Sequence, residues 1–428
     1  MKRNIRMKKT DGTTAMASPG LTVGGVFSGI GGFELGFHKS GFATQFLCEI
    51  DDDANRVLEE HFAGATLYRD IVRMERLPRV DVLIGGFPCQ DLSAVGTRLG
   101  LAGARSSLVN TLFDLVGSAR VKPDWLVLEN VPFMLQLHGG RAIEAIVRKL
   151  EGLGYRWAYR VVNSRAFGLP QRRRRVFIVA TRTDERPENV LFADDAAEPK
   201  VRTSKKLARG FYWTEGNTGV GWAIDAVPTL KGGSGLSIPS PPAIWMPATG
   251  RIELPEIRDA ERLQGFDEDW TIPTAMGNER HGRRRWRQVG NAVSVPAAQW
   301  IAERIADPGE FDEAILIPMP KNGKWPMAAC GREGKRYVAT VSEYPLTAPE
   351  VHLHKFLKYR GTAISQRAAN GFFQRVRRTT LKLEDGFLSA LALAAGLDPS
   401  EAVRIPRIQD AESNTTLEIE LPAKKRAA

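Results

Sequence analysis

Leu21-Thr22-Val23-Gly24-Gly25-Val26-Phe27-Ser28-Gly29-Ile30-Gly31-Gly32-Phe33-Glu34-Leu35-Gly36 is the stretch whose reading decides the fold. Leu21 to Phe27 reads as a strand, and Phe33 to Lys39 begins a helix. The glycines between them let the backbone approach a ligand and open the helix that follows. A strand that passes through glycines into a helix is the first unit of an alternating α/β chain.

The alternation continues outward from this unit. Ala43 to Glu49 and Val80 to Ile84 read as strands, with Asp53 to Phe62 helical in composition between them. Leu108, Leu112, Leu115, Val116 and Ala119 fall on one helical face. Asp124 to Leu128 is the next strand and Arg141 to Leu150 the next helix. Tyr155 to Val162 and Val176 to Thr181 are two more strands, with a helix between them less plainly marked. Strands alternating with helices predict a doubly wound, mostly parallel sheet over residues 21–182. The alternation stops at Thr183. Thr183 to about Pro255 is rich in Gly, Pro, Ser and Thr, and residues 183–287 read as a separate irregular and β domain, although Ile257 to Gln264 is helical. Val293 to Ile305 reads as a helix returning to the first domain, which residues 288–306 complete. Residues 307–428 form a third region with helix-like stretches at Val351 to Tyr359 and Leu388 to Leu397. Between these lies a basic run of Arg367, Arg375, Arg377, Arg378 and Lys382. Residues 1–20 read as a disordered tail.

The chain has 428 residues, enough for two or three domains of roughly 100–200 residues each. No stretch reaches the eighteen or so apolar residues of a membrane span. The basic N-terminus lacks the apolar core of a signal peptide. Three unevenly spaced cysteines make no disulfide framework, so a reducing cytoplasm is expected. The six histidines show no ligand spacing beside cysteines, so no structural zinc site is expected. Net charge is +11 and the pI about 9.6, which favours a polyanionic partner, nucleic acid above all. Arg172 to Arg175 and Arg283-Arg284-Arg285-Trp286-Arg287 concentrate that charge. They read either as phosphate contacts or as ordinary solvated runs.

Several strand ends carry chemistry. Gly85-Gly86-Phe87-Pro88-Cys89-Gln90 follows the strand ending at Ile84 and places Cys89 in a Gly/Pro turn. A thiol there reads as a nucleophile or as a small buried hydrophobe. Glu49 ends the second strand about 20 residues beyond the glycines, where an acid accepts hydrogen bonds from ribose hydroxyls. Asp70 is a second acceptor, for an adenine amino group, or else a helix cap. Glycine turn and acid together point to a nucleoside-containing cofactor. No Lys-Ser/Thr follows the turn, so it is not a triphosphate loop. Dinucleotide and S-adenosylmethionine sites share this logic, and the nearby thiol and basic surface favour the methyl donor. Glu129, in Glu129-Asn130-Val131, projects from the same sheet edge as Cys89. It reads as an acid assisting a nucleophilic addition, or as a cap before Pro132. Arg173 and Arg175, two residues apart before an apolar strand, point the same way.

These pieces resemble one family. GGFPCQ with Cys89, ENV with Glu129, QRRRRVF with Arg173 and Arg175, and QVGNAVSVP with Asn291 occur in the order seen in DNA (cytosine-5) methyltransferases. FSGIGGFELG at the start and RDAERLQGF (Arg258 to Phe266) near the end do the same. The resemblance covers about Leu21 to Ala306. It implies an S-adenosylmethionine-dependent, Rossmann-like catalytic domain with a smaller irregular and β target-recognition domain, to which this chain adds a C-terminal extension. It implies that Cys89 adds to C6 of a cytosine flipped out of duplex DNA, and that Glu129 holds the exocyclic amine and N3. Arg175 then holds O2, and Arg173 supports the site. Phe27, Gly29, Gly31, Glu49, Ile50, Asp70, Ile71, Pro88, Leu108, Asn291 and Val293 are the residues expected around the cofactor. Gln90 and Ser93 begin a mobile loop that closes over DNA with the help of Gly96, Gly100 and Gly103.

The family places sequence recognition between QRRRRVF and RLQGF. Thr229-Leu230-Lys231-Gly232-Gly233 looks like the recognition segment and is expected to contact DNA. The short interval implies one recognition domain and one target sequence. The expected setting is a restriction–modification system with a cognate endonuclease, or a solitary prokaryotic or phage enzyme acting as a monomer at the nucleoid. The extension has no counterpart in the minimal pattern; its basic helices read as lengthening the DNA footprint, binding another protein or bracing the fold, with DNA contact the favoured expectation. Three other readings are a transfer-RNA cytosine-5 methyltransferase on the same scaffold, a non-catalytic DNA-binding regulator, and a nicotinamide-dependent oxidoreductase. The populated recognition interval favours DNA over RNA. The Cys89, Glu129 and Arg175 set argues against the regulator, and the Pro-Cys turn and arginine cluster against the oxidoreductase.

Overall fold

The computed structural model describes residues 20–88, 108–199, 204, 206–215, 219–233, 241–275, 281–320, 324–332, 334–349 and 351–403. The tail expected to be disordered lies outside these up to residue 19. Strand β1 (Thr22–Val26) leads through the glycine turn into α1 (Gly32–Lys39). Then come β2 (Ala43–Cys48), α2 (Asp52–His61), β3 (Thr66–Tyr68), β4 (Val82–Gly86), α3 (Leu108–Ser118) and β5 (Trp125–Asn130). Helix α4 (Arg141–Gly152), β6 (Arg156–Asn163), the two-residue β7 (Gln171–Arg172) and β8 (Arg174–Thr181) close this part. Strands β3, β2, β1, β4 and β5 lie side by side and parallel, and β8 and β6 continue the sheet antiparallel. This is the doubly wound, mostly parallel fold that the alternation predicts. The winding reverses between β1 and β4, so a crevice opens where those two strands end.

The strands are apolar because both faces are covered. Leu83, Leu126 and Leu128 pack toward Leu112 and Val116 of α3 and Ile143, Ile146 and Val147 of α4. The alternate residues Val82, Ile84 and Val127 pack toward Phe33 and Phe37 of α1 on the other face. Strand β4 runs two residues further than its apolar run suggests, since Gly85 and Gly86 pair with Leu128 and Glu129 of β5. The sequence places both glycines in the turn. A Cβ on Gly85 would lie 2.9 Å from Val26 Cγ2, so glycine here serves close strand packing. Between β6 and β8 there is no α-helix, only the 3₁₀ turn Ser164–Phe167 and the two-residue β7, because an antiparallel pair needs no crossover helix.

A second sheet follows: β9 (Arg209–Phe211), β10 (Ala223–Ile224), β12 (Ala243–Met246) and β13 (Arg251–Leu254), with β11 (Val227–Pro228) pairing β7 instead. Helices α5 (Ile257–Gln264), α6 (His281–Asn291) and α7 (Val295–Ala306) return the chain to the main sheet. Helix α7 lies on α1 so closely that a Cβ on Gly36 would meet Ala298 Cβ at 2.7 Å. This contact explains the last glycine of the opening motif.

Residues beyond Asp307 do not stand apart as a third body. Strands β14 (Leu316–Pro318), β15 (Ala328–Arg332) and β16 (Lys335–Ala339) extend the main sheet beyond β6. Strand β17 (Thr362–Ala363) joins β13 in the small sheet. Helices α8 (Gln366–Val376) and α9 (Phe387–Ala394) then cover that sheet, burying Phe372, Phe373 and Phe387 against Phe211 and Trp245. The reason is physical, since the five short strands of the small sheet cannot bury a face alone. No helix among the described residues is long and apolar enough to cross a membrane.

Candidate active site

The ends of β1 and β2 build the first half of the site. Phe27, Gly29 and Gly31 all have positive φ, at 56°, 53° and 81°. At Gly31 a side chain would collide with Phe62, whereas nothing lies within 4 Å of a Cβ on Gly29. Glu49 ties this turn to β2. Its Oε2 accepts from the Gly29 amide at 2.8 Å and its Oε1 from the amides of Ile50 and Asp51, each at 2.9 Å. Burial raises the Glu49 pKa above the ordinary carboxylate value, and these amide bonds oppose the rise. Ile50, next along, is 73% exposed at the strand end.

The other expected cofactor residues divide by position. Asp70 caps the 3₁₀ turn Ile71–Arg73 through the Val72 amide at 2.9 Å, the capping role weighed in the sequence. The Ile71 side chain is buried in the core beneath that turn, and half-buried Leu108 packs on the same core. Pro88 is exposed at the end of its described segment. Val293 bridges the two strand ends. A Cβ on Gly32 would strike its carbonyl oxygen at 2.5 Å, and one on Gly86 would touch its Cγ2 at 3.5 Å. Asn291 is exposed at the end of α6, with its side chain against Gly232.

The second half of the site stands on β4, β5 and β8. Gly86 is paired in register with Glu129, so the segment leading to Cys89 leaves the sheet beside that carboxyl group. Glu129 does not cap the turn after Pro132, which has no side-chain cap. Instead its Oε1 forms an ion pair with Arg175 Nε at 2.8 Å, with the two side chains only 11% and 13% exposed. Burial lowers the pKa of the Arg175 guanidinium, and the Glu129 charge works against that shift. Asn130 Nδ2 donates to the Phe87 carbonyl at 3.0 Å and so anchors the chain two residues before Cys89. Cys89, Gln90, Ser93, Gly96, Gly100 and Gly103 lie outside the described residues. The other two cysteines are buried, and burial pushes the Cys48 thiol up to about 12 and raises that of Cys330, so neither is poised as a thiolate.

Arg173 is buried and faces inward. Its Nη1 donates to the carbonyls of Leu230 at 3.0 Å and Gly290 at 3.4 Å, and its Nη2 to that of Ala292 at 2.6 Å. It is a staple joining the link between β7 and β8, the segment Thr229 to Gly233 and the end of α6. Two glutamines that the sequence quoted without a role complete the stitching. Gln171 donates to the Leu263 carbonyl at 2.8 Å and accepts from the Leu230 amide at 2.9 Å, and Gln264 donates to the Val289 carbonyl at 2.8 Å. Each sits in a short motif, but its partners lie far away in the chain, so only the motif order hinted at these roles.

The segment Thr229 to Gly233, expected from the sequence to contact DNA, is therefore held by Gln171, Arg172 and Arg173. Thr229 donates its hydroxyl to the Arg172 carbonyl, and Leu230 is buried in the core with Leu263 and Val289. The outward part is Lys231, Gly232 and Gly233. The arginine runs are mostly neutralised within the fold. Arg174 pairs with Glu343, Arg284 with Asp53, Arg285 with Glu261 and Asp269, and Arg287 with Asp51. These carboxylates occupy guanidiniums that the sequence offered as phosphate contacts. Arg172 and Arg283 remain exposed.

The profile of the C-5 cytosine-specific DNA methylase family matches residues 21–217 and 255–307. Type II methyltransferase M2.BsuMI of Bacillus subtilis (strain 168) is 42% identical over 384 residues, covering 87% of this chain and 97% of that protein. Type II methyltransferase M.Bsp6I of Bacillus sp. (strain RFL6) is 30% identical over 319 residues, covering 67% and 98%. In fold, the S. pombe Dnmt2 methyltransferase superposes with a TM-score of 0.51 at 15% identity, over 67% of this chain and 98% of that one. The chain belongs to the C-5 cytosine-specific DNA methylase family and is a DNA cytosine-5 methyltransferase. The match to M2.BsuMI spans more of this chain than the family profile does.

Proposed function

We propose that the enzyme transfers the methyl group of S-adenosylmethionine to C5 of a cytosine flipped out of duplex DNA, through a covalent bond between Cys89 and C6. The observation that carries this reading is the buried Glu129–Arg175 pair beside Gly86, where β4 leads to Cys89. A flipped base is required because C5 of a stacked cytosine is out of reach. The Cys89 thiolate adds to C6. Glu129 holds the exocyclic amine and N3, stabilising the charge that builds as C5 becomes nucleophilic, and Arg175 holds O2. C5 would take the methyl group as its bond to sulfur breaks, leaving S-adenosylhomocysteine; loss of the C5 proton to solvent and elimination of the Cys89 thiolate then restore the C5–C6 double bond.

The residues at the ends of β1 and β2 fit the methyl donor. Gly29 leaves open space at the turn, Glu49 is held by three amides with lone pairs left for ribose hydroxyls, and Ile50 offers an apolar surface for the base. Bound S-adenosylmethionine supplies an electrophilic methyl group. Asp70 accepts from the adenine amine, and Asn291 to Val293 close the site from the end of α6.

The small sheet with α8 and α9 is the target-recognition domain on this reading. The enzyme acts as a monomer on chromosomal DNA in the cytoplasm. A cognate endonuclease for the same sequence is the expected partner, in keeping with its Type II relatives. Transfer of labelled methyl groups to duplex DNA and to transfer RNA tests the substrate. Incorporation into DNA is expected, and incorporation into transfer RNA alone would overturn the reading.

A further inference from the structure

We infer that Lys231 and Glu215 together read one G·C base pair of the target sequence through the major groove. This rests on the reading of the chain as a DNA methyltransferase whose small sheet recognises sequence. The backbone at Lys231 is fixed to the catalytic side. Leu230, just before it, gives its amide to Gln171 and its carbonyl to Arg173. Gly290 lies so close that a Cβ there would stand 2.1 Å from the Lys231 carbonyl carbon, and Gly232 is pressed against Asn291. Arg173 is two residues from Arg175, the partner of Glu129, so Lys231 starts beside the base pocket.

Its side chain runs the other way, onto the recognition sheet. Lys231 Nζ lies 3.9 Å from the centroid of the Tyr212 ring and pairs with Glu215. The Tyr212 hydroxyl donates to the Thr229 carbonyl at 2.7 Å, and Arg375 of α8 donates to the Trp213 carbonyl at 2.7 Å and to that of Glu215 at 3.5 Å. Three segments thus converge on one ion pair whose side chains are 42% and 43% exposed. An exposed pair adds little stability, so fold stability does not account for this construction.

Recognition chemistry does. Guanine shows O6 and N7 as acceptors in the major groove, and its paired cytosine shows the N4 amine as a donor beside them. Lysine donates to the first and a carboxylate accepts from the second, so an adjacent lysine and glutamate complement both edges of one pair. A lysine meant for a phosphate would not be backed by a carboxylate, which repels that phosphate.

The test is bisulfite sequencing of DNA methylated by the full-length wild type, Lys231→Met, Glu215→Gln and Lys231→Arg. The wild-type motif is expected to contain a G·C pair besides the target cytosine. Both Lys231→Met and Glu215→Gln should raise methylation of sites altered at that one pair, relative to the intact site, by about 10–100-fold. Lys231→Arg, which keeps donors, should keep the motif. The proposal is overturned if the first two variants keep the wild-type motif while Lys231→Met lowers the salt dependence of binding by about one charge, as a phosphate contact would. It is equally overturned if they lose activity with Lys231→Arg not rescuing it. A wild type that methylates no cytosine would instead sink the underlying assignment.

Discussion

Glu129 and Arg175 meet across adjacent antiparallel strands, with Arg175 Nε 2.8 Å from Glu129 Oε1, in a site where both side chains are nearly buried. The positive charge keeps a buried carboxyl group in place at the strand end, and on the proposed reading the pair presents an acid and a cation to a planar base. Glu129→Gln keeps the shape and removes the charge. Methyl transfer should fall by about 10²–10⁴-fold, the range of a positioned acid or base, while the Kd for DNA stays within about tenfold, the effect of one hydrogen bond. Filter binding and single-turnover transfer measure the two, and equal losses would count against the catalytic role.

Arg173 is predicted to act through structure. Arg173→Ala leaves the carbonyls of Leu230 and Ala292 without their buried donor, each costing about 1–3 kcal/mol. Urea denaturation should show a loss of about 3 kcal/mol or more, with Arg173→Lys recovering part of it. A loss below about 1 kcal/mol would show that the staple contributes nothing.

Glu34 predicts a pH effect. It is buried beside Gly25 and Ser28, and desolvation raises its pKa to about 7 from 4.5. The folded state therefore holds the proton more tightly than the unfolded one. The stability from that proton is fully present below about pH 4.5 and is lost as pH rises through about 7. Glu34→Gln should remove this loss, so its stability relative to wild type should rise by roughly 3 kcal/mol across that window. Urea midpoints at about pH 5 and pH 8 check this, and parallel profiles for the two proteins would contradict it.

The C-terminal helices are predicted to stabilise the core they share with the small sheet. Phe372 is fully buried and stacks on Phe211 with ring centroids 5.4 Å apart. Phe372→Ala should destabilise the protein by about 3–5 kcal/mol, and calorimetry would show a lower Tm. An unchanged Tm would mean that the extension is only appended.

Much of the fold was legible in the sequence because parallel strands buried on both faces read as apolar runs, and the glycines and acids at their ends marked where those strands stop. Partnership across long separations was not legible. Arg174 finds Glu343 169 residues away, and Gln171 finds Gln264 93 residues away, which no local pattern shows. The short strands from Leu316 to Ala339 escaped because pairing at the sheet's far end, rather than an apolar run, holds them. The turn at Gly85 and Gly86 was misplaced because glycine for close strand packing looks the same in sequence as glycine for a turn.

The central claim is covalent addition of Cys89 to C6, and duplex DNA carrying 5-fluorocytosine at the target position tests it most directly. Fluorine at C5 cannot leave as a proton does, so the enzyme incubated with S-adenosylmethionine should form a complex that survives denaturation. Mass spectrometry should place the DNA on the peptide containing Cys89, and Cys89→Ser should form no such complex. An enzyme that methylates ordinary duplex DNA yet forms no adduct, or forms it at another residue, would contradict the account.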